Sequence, residues 1–262
     1  MPDDRKPRTP LAVPRSRLVR GPGPVVRPDF RTEFLDFERG IRMGNIEPNQ
    51  RITQILKAHL ERRHGTPFVT DRWGRGVYWR WICWLPVESR KAKPLSSKVN
   101  FGCAKFYVTI NLERQTFEAG MQVERAPTTP GGEVRTREDW DVHALLAGLA
   151  RGKPLADEVA RLVRSEGFTV RAGPFSERGE FTAANYRGPA PLARAMSVIP
   201  AGDWGGFQLC YVFARDEVRA MGGGEITAAV ADIFDDLARA MNLVMTVPCL
   251  RLPGQPPAAG TR

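Results

Sequence analysis

Residues 103–125 read CAKFYVTINLERQTFEAGMQVER, and this stretch decides the fold. Phe106, Val108, Ile110 and Leu112 alternate onto one face. After a turn at Glu113–Gln115, Phe117, Ala119, Met121 and Val123 do the same. Successive side chains of a strand point to opposite faces, so the pattern predicts an antiparallel hairpin with one buried face. Lys105, Thr109, Asn111, Glu118, Gln122 and Glu124 fall on the other face and are expected to meet water.

Upstream, GVYWRWICWL (76–85) alternates Trp79, Trp81, Cys83 and Leu85 with Tyr78, Arg80, Ile82 and Trp84. Both sets are largely apolar, as in a strand covered on both sides. At least two of the three tryptophans are then expected in the core. Downstream, GFQLCYVFA (206–214) is a further strand, with Phe207, Leu209, Tyr211 and Phe213 alternating.

Helical spacing surrounds these strands. Phe30, Phe34 and Phe37 predict a short helix through about Ile41. In PNQRITQILKAHLERR (48–63), Pro48 suits a first turn, Ile52, Ile55, Leu56 and Leu60 form a stripe, and Gly65 stops the helix. Thr136 and Asp139 suggest a capping box opening a helix in TREDWDVHALLAGLARG (136–152). PLADEVARLVRSEG (154–167) buries Leu155, Val159, Leu162 and Val163. In ITAAVADIFDDLARAMN (226–242) the stripe is Ile226, Val230, Ile233, Phe234, Leu237 and Met241. Strands clustered as hairpins with helices grouped around them predict an α+β fold, with a mainly antiparallel sheet and helices packed on one face. Residues 1–28 hold seven prolines and no period, so they are expected to be an extended Pro/Arg-rich arm. Residues 29–251 are then a single domain and 252–262 a flexible tail.

Two segments, KVNFGCAKFYVTINLERQTFEAGM (98–121) and YVFARDEVRAM with the closing helix (211–241), resemble a bacterial family whose domain is of unknown function. In that family a Lys-rich segment leads to a Phe-Gly pair, here Phe101 and Gly102. A strand of the Tyr-Tyr-Leu type and a glycine-rich second strand follow. Here the second strand keeps only Gly120, and ESRKAKPLSSK (88–98) replaces the family's acidic-basic run. The resemblance covers about half of the chain. It implies an α+β fold and assigns no chemistry, so no catalytic residue is carried over.

Charge carries the strongest functional signal. The net charge is +10 over 262 residues, and two segments concentrate it. Residues 1–28 and residues 71–98 each hold seven cations against two acids. A clustered cationic footprint points to a polyanionic partner. No run reaches the roughly 18 to 20 apolar residues that span a bilayer. The N-terminal MPDDRKPRTPLAVPRSRLVR lacks the apolar core of a secretory signal. Cys83, Cys103, Cys210 and Cys249 form no CxxC and suit reduced, buried thiols of a cytoplasmic protein. His59 and His64 are five apart, His143 is isolated, and HExxH, Walker A, GxGxxG and GxSxG are all absent. Asp232, Asp235 and Asp236 read as a solvated helix face. Glu118 and Glu124 lack the acid-x-lysine spacing of a nuclease. No cofactor, metal or membrane is expected.

These observations predict a non-catalytic binding or accessory protein that contacts a polyanion such as nucleic acid, or an acidic protein partner. Arg15, Arg17 and Arg20 of the arm and Arg90, Lys91, Lys93 and Lys98 of the 90–98 loop are the expected contacts. Two alternatives stand beside it. One is a subunit of a larger hetero-complex, tethered by its tails. The other is an enzyme or small-ligand protein with a pocket between sheet and helices.

Overall fold

The computed structural model describes residues 28–93, 99–127, 135–252 and 254–255. The chain opens with a small hairpin, β1 (Leu35–Asp36) and β2 (Gly40–Arg42), and continues into α1 (Ile52–His64). A long hairpin follows, β3 (Phe68–Arg75) and β4 (Tyr78–Pro86), capped by the short α2 (Val87–Lys91). Then come β5 (Lys105–Asn111), β6 (Thr116–Arg125), α3 (Asp141–Gly148) and α4 (Pro154–Ser165). The remaining elements are β7 (Thr169–Pro174), β8 (Gly179–Phe181), α5 (Pro189–Ser197), β9 (Gly205–Ala214), α6 (Arg215–Ala220) and α7 (Gly223–Val244).

Among the described residues all nine strands join one sheet, and every pairing is antiparallel. Strand β4 pairs along its length with β3. Its other edge is shared: β5 takes Trp81–Trp84, and β2 takes Tyr78 and Trp79. The sheet then runs β5-β6-β9-β7-β8. Strand β3 is therefore an outer edge. Two of its amides are occupied by carboxylates, Phe68 N–H donating to Glu61 Oε1 and Arg72 N–H to Asp71 Oδ1. Occupied amides guard an edge strand against pairing with another chain.

The helices cover one face. Phe106, Val108, Phe117, Ala119, Met121, Phe207 and Leu209 of the sheet meet Leu56, Leu60, Val142, Leu145, Val159, Leu162, Phe234, Leu237 and Met241 of the helices, all at most 1% exposed. Phe106 and Phe234 stack with centroids 4.7 Å apart, and the Trp84 indole N–H donates to the Thr53 carbonyl at 3.2 Å. The space between sheet and helices is thus filled with apolar side chains. Gly65, at φ 68°, ends α1 in the left-handed conformation expected of a helix stop.

Three local expectations change. The phenylalanines at 30, 34 and 37 are buried, but by a 3-10 turn (Thr32–Phe34) and the β1–β2 hairpin rather than a helix. Asp36 Oδ1 accepts from the amides of Glu38 and Arg39 and so stabilises the turn. Gly40, at φ 120°, lets β2 approach β4 so closely that a Cβ there would lie 2.8 Å from the Trp79 carbonyl oxygen. The capping box at Thr136 does not form either. Thr136 donates to the Ala126 carbonyl, Asp139 pairs with Arg137, and α3 starts at Asp141. Finally, the register shifts between Trp73 and Gly74, where Arg80 is the extra residue of β4. This bulge carries Trp79 to the helix-side core, whereas Trp81 packs beside Cys83 and Leu85 on the other face. Only Trp84 is fully buried; Trp79 and Trp81 are half-buried.

Candidate nucleic-acid interface

The basic segment 71–98 is continuous in sequence and divided in space. At about 3.3 Å per residue, the two ends of β4 lie roughly 26 Å apart. Arg72, Arg75 and Arg80 sit around its start, whereas Arg90, Lys91 and Lys93 follow its end. Lys93, expected in solvent with the rest of the 90–98 loop, is only 2% exposed. Its ammonium donates to Asp141 Oδ1 at 2.8 Å and to Thr246 Oγ1 at 2.7 Å. Asp141 also accepts from the amides of Ala104 and Thr246 at 2.7 and 3.1 Å. A lysine enters a core when it meets a carboxylate whose other lone pairs are satisfied, and here both conditions hold. Lys91 is exposed with its ammonium 3.3 Å from Glu88, and Arg90 is half-buried. Arg15, Arg17, Arg20 and Lys98 lie outside the described residues.

The other end of β4 is where cations stay open. Strands β3 and β4 are joined by the two residues Gly76 and Val77. Arg72, Arg75 and Arg80 are exposed, and no carboxylate among the described residues pairs with any of them. The Arg72 guanidinium lies 4.1 Å from the centre of the Trp79 ring, and Arg39 lies 4.4 Å from that of Tyr78. Trp73 is 66% exposed, an unusually bare tryptophan, and stands opposite Trp81 in the register. The hairpin end is held in place. The Val77 carbonyl accepts from the amides of Met43 and Gly44, and β2 pairs with Tyr78 and Trp79. Sequence reasoning counted these arginines but passed over FVTDRWGR (68–75), where Gly76 separates two strands that each carry an Arg-Trp pair. That repeat was the available signal.

The sheet face away from the helices carries charge under cover. Lys105, Glu118, Gln122 and Glu124, expected in water, are 1–6% exposed, as are Arg171 and Gln208. Lys105 Nζ donates to Glu124 at 2.5 Å, Gln122 to Glu124 at 2.6 Å, Gln208 to Gln122 at 2.6 Å, and Arg178 to Gln208. Arg171 reaches across β9 to Glu118 at 2.5 Å and donates to Glu180 at 2.8 Å. Burial alone would depress the Lys105 ammonium, but its anionic surroundings, the Glu124 carboxylate foremost, together outweigh that and its pKa ends raised. Burial lowers Arg178, which no carboxylate pairs with among the described residues. Every carboxylate of this network has a cation, so it reads as a polar core that holds register rather than a reactive centre.

Nucleophiles are quiet. Cys83, Cys103 and Cys210 are buried, and burial pushes the Cys103 and Cys210 thiols up to about 11 and about 12, with Cys83 higher still. A thiol must ionise to attack, so none is activated. Burial likewise raises the Tyr107 phenol well above its ordinary value. Asp235 pairs with Arg63 at 2.9 Å, and Asp236 is exposed on the same helix. Among the described residues, no group of three or more His, Cys, Asp and Glu is placed to hold a metal ion. Nor is any helix among them long and apolar enough to cross a membrane. An open cleft beside α6 mixes Glu33, Asp36 and Glu38 with Arg215 and Arg219, giving no clear preference for either sign of charge. No protein-family model matches the chain, and no curated protein matches it.

Proposed function

We propose that this protein binds a polyanion, with nucleic acid as the intended class, through the open end of the β3–β4 hairpin. The observation that carries the reading is three exposed arginines, Arg72, Arg75 and Arg80, with no carboxylate partner among the described residues, on a hairpin end held by β2. Unpaired arginines are available for phosphates, whereas Lys93 is committed to Asp141. Phosphate contacts of this kind supply affinity without reading sequence. Arg15, Arg17 and Arg20, outside the described residues, stay in the proposed set of contacts on charge alone.

Anisotropy of a labelled single-stranded oligonucleotide, titrated with the full chain at several salt concentrations, tests this. Binding is expected to weaken steeply between about 50 and 200 mM salt, because each phosphate contact releases counterions. Replacing Arg72, Arg75 and Arg80 together by Ala should make the logarithmic salt slope shallower by about 2. Absence of binding at low salt, or an unchanged slope in the triple variant, would overturn the reading.

A further inference from the structure

Resting on that polyanion reading, we infer that the bound class is single-stranded nucleic acid, held by stacking of an unpaired base on Trp73. The argument begins with exposure. Trp73 leaves two thirds of its surface bare, more than Phe175, Val198 or Leu243, the other exposed large apolar side chains. A lone exposed apolar residue needs no explanation. Trp73 is not alone in chemistry, since strand alternation puts Arg75, two residues on, on its own face, while Arg72 lies on the opposite face over Trp79. An aromatic face beside cations that no carboxylate neutralises is the combination that binds single strands. The arginines meet phosphate oxygens, and the ring meets a base, whatever that base is.

Two further features favour an unpaired strand over a duplex. First, β3 is an outer edge of the sheet, so no strand among the described residues lies beyond Trp73. A splayed base can approach the ring from the side, whereas a stacked base pair offers no free face. Second, the surrounding aromatics are already committed. Trp79 carries Arg72, Tyr78 carries Arg39, and Trp81 lies 5.9 Å from the Lys105 ammonium. One ring is thus left for a ligand, which fits one stacked base per hairpin rather than a long groove. The hairpin end is fixed before any ligand arrives, through the Met43 and Gly44 amides on Val77. Little ordering is then required on binding.

The test compares a mixed-sequence DNA 20-mer with an abasic strand of the same length and phosphate number, using the full chain. The wild-type protein is expected to prefer the base-bearing strand by roughly tenfold, with its tryptophan fluorescence quenched on binding. Trp73→Ala should abolish that preference and leave the salt slope unchanged, while Trp73→Phe should retain most of it. Equal affinity of the wild-type protein for the two strands would overturn the stacking inference and leave the polyanion reading standing. Failure to bind either strand would remove both. If sedimentation shows a dimer that Trp73→Ala dissolves, the ring serves a self-contact and the inference is overturned.

Discussion

Lys93, Asp141 and Thr246 show how much one buried charge can organise. Three segments distant in sequence meet at one carboxylate, with the Lys93 and Asp141 side chains 1% and 0% exposed. Removing one partner strands the other in a low-dielectric interior, which costs about 3–5 kcal/mol. Urea unfolding should therefore place Lys93→Ala and Asp141→Ala in that range. The double variant Lys93→Ala with Asp141→Ala should lose less than the sum of the two single variants, and full additivity would show that the pair is not coupled. His64 makes a second prediction at this scale. Burial, with Arg63 nearby, lowers its pKa to about 3, and its Nδ1 accepts the Arg251 amide at 3.1 Å. The ring stays neutral when folded but protonates near 6.5 when unfolded. Its contribution is therefore complete above pH 6.5 and falls as pH drops toward 3, by about 2 kcal/mol at pH 5. Replacing His64 by Leu should flatten the fall in stability between pH 7 and pH 5, and an unaltered slope would reject the assignment.

At the level of elements, what could be read from the sequence depended on whether a segment's burial was local. The 103–125 hairpin and the stripe of α7 were legible because alternation and 3.6-residue spacing each name one face directly. The spacing of Phe30, Phe34 and Phe37 names a helix, and the turn and hairpin that form instead are set by long-range approaches, Gly40 against Trp79 and Gly223 against Phe30. The polar face of β5 and β6 was illegible for a different reason. Glu118 is covered by Arg171, 53 residues further on, across a strand that no spacing rule places between them. The site was half legible: the 71–98 basic segment was apparent, but its division by β4 and the inward turn of Lys93 required the pairing. The start of α7 offers a sharp check on packing. A Cβ at Gly223 would fall 1.7 Å from the Phe30 carbonyl oxygen, whereas one at Gly224 would touch nothing within 4 Å. Gly223→Ala should cost about 1–3 kcal/mol by overpacking, while Gly224→Ala should be neutral or stabilising by up to about 1 kcal/mol through helix propensity. Thermal unfolding of the pair separates the two, and equal melting temperatures would contradict the close approach.

For the whole molecule, the architecture separates stability from contact with a partner. The helix-covered face holds the core, the opposite face holds a closed polar network, and the β3–β4 end projects cations and one bare indole. The sheet also sets an order of events. Its centre is the β6–β9 pairing, from Thr116 opposite Ala214 to Arg125 opposite Gly205, with α7 covering β6 only afterwards. During synthesis, therefore, the β5–β6 hairpin emerges with Phe106, Phe117 and Met121 uncovered while about a hundred further residues are added, roughly 5–20 s at typical elongation rates. For that interval the nascent chain presents a sticky, half-built sheet, and its safe passage falls to whatever shelters newborn chains at the ribosome rather than to any contact in the finished fold.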